Sequence, residues 1–506
     1  MSSRVQTFGG GDTPSTAVRS ALQAAGFDLA ESGDARRMLF DTFDGRLQDA
    51  GLRLEHRTVG DVRQLVLLDD QSPPATLAAA EPPRFATDLA AGPFRSRIGA
   101  VTDGRALLPM RTVAARTIAI VSRNRSDKTV ATATIYEDLT IDGEPNPWTV
   151  EVTELLGYDR AADRLGDVLC GCGLVAASGD VLELAGPICV PGRATASPTI
   201  PLDGAEAAAE AFRKVLTHLL QAIEVNLPGT IDDLDAEFLH ELRVAVRRSR
   251  SVLSHAKRVL PADDVARART ELAWLGSITS PPRDLDVYQL EWGDYIRHLS
   301  PAAGDDLEAI RVHLDQQRRH AHRDLAAELG RDHTDDVLRW WRDVLTAPPT
   351  GPAVDAETSA GKVVRRQIRR AHRRLVEQGR AIDDASPAEE VHELRKDAKR
   401  LRYLLECFGG LYPGKPRKAF VARLKALQDN LGAHQDADVH GQHLRALTAQ
   451  LAGQLPVATV LAAGQLIEQL DQRRTATRAD FAERFAEFDS AATEAALRKL
   501  LAGSAP

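Results

Sequence analysis

The stretch Glu237-Phe-Leu-His-Glu-Leu-Arg-Val-Ala-Val-Arg-Arg-Ser-Arg250 is answered further along the chain by Glu389-Glu-Val-His-Glu-Leu-Arg-Lys-Asp-Ala-Lys-Arg-Leu-Arg402. His240 and His392 stand 152 positions apart. The same offset pairs Leu242 with Leu394, Arg243 with Arg395, Arg247 with Lys399, Arg250 with Arg402 and Pro261 with Pro413, and it still holds at Asp284/Asp436 and Asp286/Asp438. A repeat kept in register over that length marks a duplicated unit, so function is expected in what both copies retain.

Both copies retain a helix with two adjacent stripes. At roughly 100° per residue, Leu242, Val246, Ser249 and Leu253 share one face, and His240, Arg243, Arg247 and Arg250 share the next. The second copy places Leu394, Ala398, Leu401 and Leu405 beside His392, Arg395, Lys399 and Arg402. Arg248 and Arg400 fall on the far side and read as solvated charges. A basic row bordering a core repels itself unless an anion or nearby carboxylates neutralise it. The spacing therefore points to a polyanion site.

The motif H-x-L-R-x-x-x-[RK]-R-x-R in two copies, each followed by a leucine-spaced helix and Asp284-Leu-Asp-Val287 or Asp436-Ala-Asp-Val439, resembles the CHAD domain, the conserved-histidine α-helical domain. The resemblance spans roughly residues 205–503. It implies a helical bundle that binds inorganic polyphosphate through basic side chains, and association with polyphosphate granules. Two further elements fit the duplication. Lys214 and His218 align with Arg366 and Arg370, and Gln317-Arg-Arg-His-Ala-His-Arg323 aligns with Gln472-Arg-Arg-Thr-Ala-Thr-Arg478 after a three-residue slip. The expected polyphosphate-binding set is Lys214, His240, Arg243, Arg247, Arg250, Arg319, Arg323, Arg366, Arg370, His392, Arg395, Lys399, Arg402, Arg474 and Arg478. Helix Lys362–Arg374 adds a basic run without an acid. Four helices per half, about 205–345 and 358–503, predict an all-α domain of two pseudo-symmetric four-helix bundles.

Residues 1–190 differ in texture. Period-two runs at 53–57, 62–68, 116–121, 130–136 and 148–153 predict strands, with Asp142-Gly143 as a hairpin turn and helices at Thr16–Ala25 and Arg160–Cys170. Phe40-Asp-Thr-Phe-Asp-Gly-Arg-Leu-Gln-Asp-Ala-Gly-Leu-Arg-Leu54 resembles the CYTH, or triphosphate-tunnel, family. That likeness implies a closed antiparallel α+β barrel whose tunnel holds divalent metal on glutamates and triphosphate on basic residues. The opening strand lacks the family's Glu-x-Glu-x-Lys, and Thr149–Thr153 keeps only Glu151. One carboxylate does not hold two Mg²⁺ or Mn²⁺ ions, so the barrel is expected to be non-catalytic. Arg53, Arg57, Arg116 and Arg123 are the arginines that would line such a tunnel. Residues 191–204 read as a linker.

Composition sets the limits. The 506 residues carry 64 Lys plus Arg against 72 Asp plus Glu, a net charge of −8. A basic site is therefore local, and a nucleic-acid binder working through its whole surface is disfavoured. Aromatics are 5% of residues, too few for a base-stacking platform. Cys170, Cys172, Cys189 and Cys407 form no ligand or disulfide pattern. No apolar leader or membrane-length run occurs, so a cytoplasmic protein is expected. His240 and His392, each followed by cations, are read as structural or phosphate-donating groups, with no metal, cofactor or catalytic residue assigned. Asp284 and Asp436 are expected to cap the next helix, or the aspartate pairs to clamp the signature arginines. A tunnel triphosphatase and an RNA-binding module stand as alternative readings, and oligomeric state is left open.

Overall fold

The computed structural model describes residues 5–9, 13–69, 72–124, 126–155, 157–195, 200–348, 351–383 and 385–502, the side chains at 31, 32, 194 and 195 excepted. The chain divides into two compact units, Met1–Ala194 and Thr195–Pro506. Part of the expected linker, residues 196–199, lies outside the described residues.

The first unit is one antiparallel sheet of β1 (Val5–Gly9), β2 (Asp28–Asp41), β3 (Leu52–Val59), β4 (Val62–Asp69), β5 (Ser72–Ala78), β6 (Leu108–Arg123), β7 (Thr129–Ile141), β8 (Glu144–Pro145), β9 (Thr149–Glu154) and β10 (Val175–Ser178). Helices α1 (Ser15–Ala24), α2 (Arg46–Asp49), α3 (Pro93–Thr102), α4 (Asp159–Gly171) and α5 (Pro191–Thr195) accompany it. The strand order is β10-β1-β9-β7-β6-β2-β3-β4-β5, with β8 on β7. Asp142 and Gly143 both take positive φ, 53° and 87°, as the tight β7–β8 turn requires.

The expected closed barrel is corrected in one respect: among the described residues no pairing joins β5 to β10. The terminal strand β5 carries Pro73 and Pro74, which have no N–H to offer another ladder. The reading also missed β2. Its alternation is interrupted by charges, and its register slips between Glu31 and Gly33.

The second unit is all helical among the described residues. The first copy supplies α6 (Ala208–Ile231), α7 (Ala236–His255), α8 (Ala262–Ile278), α9 (Ser280–Ile296), α10 (Pro301–Asp306), α11 (Glu308–Leu329) and α12 (Asp332–Thr346). The second supplies α13 (Ala360–Ala381), α14 (Ala388–Cys407), α15 (Gly414–Gln450), α16 (Val457–Ala479), α17 (Phe481–Phe488) and α18 (Ala491–Ala502). Asp235 caps α7, its carboxylate accepting from the Glu237 N–H at 2.9 Å. The apolar stripes are buried as expected: Leu242, Val246 and Leu253 on α7, and Leu394, Ala398, Leu401 and Leu405 on α14. Each buried leucine contributes about 1.5–3 kcal/mol.

The copies do not sort into one bundle each. A larger core draws on α6–α8 together with α13–α15, and a smaller one joins Leu285, Tyr288 and Leu314 to Leu444, Leu466 and Leu470. The segments also outnumber four per half. Pro281 and Pro282 start α9 afresh after α8, whereas α15 carries no proline at the equivalent place and runs through 37 residues.

Candidate anion site on the paired signature helices

Helices α7 and α14 pack against each other, which brings the two basic rows together. Lys399 is partly buried, and burial, then Arg395 on its own helix and Arg247 on α7, push its ammonium down to about 8, with Asp436 opposing. Arg243 is pushed down to about 10 by burial and by Arg247, with Asp284 opposing. Like charges destabilise one another most where water is excluded, so these shifts report cations held close together. Among the described residues no carboxylate lies within ion-pair distance of Arg247, Arg250 or Lys399. The Nε atoms of Arg243, Arg247 and Arg395 are buried with no hydrogen-bond partner among those residues. Arg243 is instead held by neutral groups: its Nη1 donates to Gly276 O at 3.3 Å, Thr279 Oγ1 at 3.1 Å and Ser280 Oγ at 2.9 Å. The break between α8 and α9 supplies these acceptors.

Other members of the rows are partly neutralised. Arg395 Nη2 reaches Asp436 Oδ1 at 3.1 Å. Arg402 Nε reaches Glu406 Oε1 at 2.6 Å, and Glu406 also takes Arg248 from the first copy at 2.9 Å. Arg248, expected to be solvated, exposes 17% of its side chain and ties the copies together. His392 Nδ1 lies 2.9 Å from Gln435 Oε1. The ligand atoms of His240, Glu237 and Glu241 lie within 4.8 Å of one another. That grouping comes from a single helix turn, and the nearby Arg248 and Arg247 act on Glu241, so it remains without an assigned metal.

Several other nominated residues have partners of their own. Lys214 pairs with Glu206 and Glu210, and Arg366 with Asp355 at 2.6 Å. Arg370 lies with Arg400 around His255, whose imidazole is pushed down to about 4 by burial and then by Arg400 and Arg370. Arg319 and Arg323 line a separate open cleft with Asp233 and His320. Arg474 lies 3.7 Å from Asp438, and Arg478 donates to the Asp383 and Ser386 carbonyls. The run on α13 is also less free than it looked, since Arg366 pairs with Asp355 and Arg374 with Asp397, each at 2.6 Å.

The aspartates do not cap helices. Asp284 and Asp286 lie inside α9, and Asp436 and Asp438 in the middle of α15. Asp436 clamps the expected Arg395 at 3.1 Å, whereas Asp286 accepts from Arg318 at 2.6 Å. The reading missed a cluster beside the rows. Tyr288 and His440, related by the 152-residue offset, pack across the copies with ring centroids 4.8 Å apart and planes tilted by 43°. Tyr295 Oη lies 2.5 Å from His440 Nδ1 and 2.7 Å from Glu291, and Tyr288 Oη lies 3.0 Å from His443 Nδ1. Extending the offset to Tyr288 would have found the pair.

The interior of the first unit has the opposite character. Arg37 of β2 is 9% exposed and engages three carboxylates: Glu55 at 3.1 Å, Glu151 at 3.0 Å and Asp180 at 3.0 Å. Arg53 and Arg57 also reach Glu55, at 2.8 and 2.7 Å. Burial alone would raise the Glu55 carboxyl, but Arg37, Arg57 and Arg53 hold it well below the usual carboxylate range. The sequence reading counted only Glu151 and overlooked Glu55 and Asp180. The additional acids do not restore a metal centre, because Arg37 already occupies all three. The donor set does not fit a pair of divalent ions. Arg116 and Arg123, expected in the tunnel, pair with Glu137 at 2.6 Å and Asp127 at 2.9 Å.

No helix among the described residues is long and apolar enough to cross a membrane. Residues 214–445 match the family model of the CHAD domain. The chain is 28% identical over 366 residues to two uncharacterized proteins of Mycobacterium tuberculosis, MT2285 of strain CDC 1551 / Oshkosh and Rv2226 of strain ATCC 25618 / H37Rv. The match covers 70% of this chain and 64% of each relative, so the chain spans under two thirds of the curated relatives it matches. Among solved structures, the crystal structure of the CHAD domain from the plant Ricinus communis is 26% identical, covering 60% of this chain and 96% of that one with a TM-score of 0.45. PptA from Streptomyces chartreusis is 18% identical, covering 55% and 99% with a TM-score of 0.45. The first unit is a sheet domain consistent with a CYTH-like fold. The helical unit of this chain carries a CHAD domain across residues 214–445.

Proposed function

We propose that this protein binds inorganic polyphosphate without hydrolysing it, through the basic rows of α7 and α14, and that it does so at polyphosphate granules in the cytoplasm. The observation that carries the reading is the meeting of Arg247 and Lys399, one from each copy, with no carboxylate in ion-pair reach among the described residues. A flexible chain of regularly spaced charges suits a line of cations that its own protein leaves unneutralised. Arginines fork onto phosphate oxygens, and lysine acts as a point charge. Binding should weaken steeply with salt.

A tunnel-type triphosphatase fits less well. The acids that would hold its metal are taken up by Arg37, so no hydrolytic step is derived for the first unit.

The test is long-chain polyphosphate binding to the full chain and to the Arg247→Glu, Lys399→Glu double variant at fixed moderate salt. Affinity should fall at least about tenfold, as expected for two lost charge-assisted contacts. Unchanged affinity in a folded double variant would remove the proposal. RNA displacing polyphosphate at equal phosphate concentration would redirect it to nucleic acid.

A further inference from the structure

At one place in the basic rows the two copies differ in chemistry. Three of the four repeat pairs hold the same residue type: His240/His392, Arg243/Arg395 and Arg250/Arg402. The fourth sets Arg247 against Lys399. A guanidinium stays protonated at every accessible pH and is no nucleophile, whereas an ammonium can lose its proton and attack. Lys399 is partly buried and has no ion-pair partner among the described residues. The charged and titratable groups that act on it are Arg395 and Arg402 from its own helix, Arg247 from α7 and Asp436 from α15.

We propose that Lys399 is a modification site, acylated by small acyl phosphates whose phosphate end docks on Arg247 and Arg395. In this step the Lys399 Nζ lone pair attacks the acyl carbon. A C–N bond forms, the C–O bond to phosphorus breaks, inorganic phosphate leaves with that electron pair, and the amine proton passes to water. The product is an amide, so the row loses one charge and its affinity for polyanions drops. Two features of the site favour the reaction. Burial and then the surrounding arginines push the ammonium down to about 8, and the same arginines concentrate the phosphate of the reagent. A long polyphosphate would compete, filling the row and protonating the amine. The inference rests on the same cationic row as the proposed function, but its experiment separates the two.

The full chain is incubated with acetyl phosphate and mapped by peptide mass spectrometry. Lys396, three residues earlier, serves as the internal control, since it is 41% exposed and paired with Glu393. Labelling of Lys399 should exceed that of Lys396 several-fold. It should fall to the Lys396 level in Arg247→Gln with Arg395→Gln, and under excess polyphosphate. An acetyl donor without phosphate, acetic anhydride, should show a clearly smaller preference, because only the lowered proton affinity then favours Lys399. Labelling of Lys399 no faster than Lys396, or an equal preference with the anhydride, would overturn the proposal. Lys399→Arg should lose the label, since a guanidinium is no nucleophile. A chain that labels selectively yet ignores polyphosphate sinks the proposed function alone. One that binds polyphosphate but labels indiscriminately sinks this inference alone.

Discussion

Arg37, Arg53 and Arg57 inside the sheet of the first unit, and Arg243, Arg247, Arg395 and Lys399 between α7 and α14, are both groups of cations shielded from water. The first group is met by Glu55, Glu151 and Asp180, with Arg37 engaging all three and Arg53 and Arg57 sharing Glu55. Among the described residues the second meets one carboxylate in ion-pair contact, Asp436 on Arg395, while Arg243 leans on hydroxyls and a carbonyl. A balanced interior favours neither a metal ion nor a phosphate chain, because either ligand must first displace an ion pair. An unbalanced row stays costly until an anion arrives. The number of arginines does not distinguish the two places; what faces them does.

The contrast breaks most visibly at Arg37. Arg37→Ala would leave Glu55, Glu151 and Asp180 with fewer counter-charges in a buried setting, and should destabilise the first unit by about 3–5 kcal/mol in denaturant unfolding. Polyphosphate affinity should not move. A loss of affinity without loss of stability would mean that the first unit, not the second, binds the anion.

A smaller effect sharpens the other side. Burial and the neighbouring Arg395 and Arg247 push the Lys399 ammonium down to about 8, from the ordinary lysine value of 10.5. Below that range the amine is charged in both folded and unfolded chains, and its burial costs stability in full. As pH rises from about 8 to 10.5 the folded chain sheds the proton first, so the cost is relieved and stability gains from this group. Polyphosphate affinity moves the opposite way, falling a few-fold between about pH 7 and about pH 9 as the charge disappears. Lys399→Arg should flatten that binding profile; an unaltered profile would show that some other group titrates.

The smallest change is expected from Asp436→Asn. It frees Arg395 from its carboxylate, and since the Asp436 side chain is 56% exposed the pair is well screened. Affinity for polyphosphate should rise about two- to fivefold by isothermal titration. A decrease would mean that Asp436 positions Arg395 and does not compete with the ligand for it.

The signature helices were legible because one offset repeated their pattern, and because an apolar stripe fixed which side each basic residue took. Sequence spacing could not report the neutralising partners. Glu406 reaches Arg248 from 158 positions away, Asp397 lies on a different helix from Arg374, and Asp180 comes from the far end of its unit to Arg37. Lys214 and Arg366 were nominated for that reason and are paired off locally or by a loop acid. In the first unit the strands with plain alternation were readable, whereas β2 hid behind its charges. It is β2 that delivers Arg37 to the interior, so the residue that decides the character of that unit sat in the strand hardest to see. The split of α8 from α9 was foreshadowed by Pro281 and Pro282; the uninterrupted α15 had no such marker.

Both hydrophobic cores of the helical unit mix side chains from the two copies. An ancestor made of one copy would have exposed those leucines to water, so it would have had to exist as a symmetric homodimer, with two identical basic helices face to face. With both copies in one chain each side can differ from the other, and a lysine opposite an arginine is a difference that no pair of identical subunits can encode.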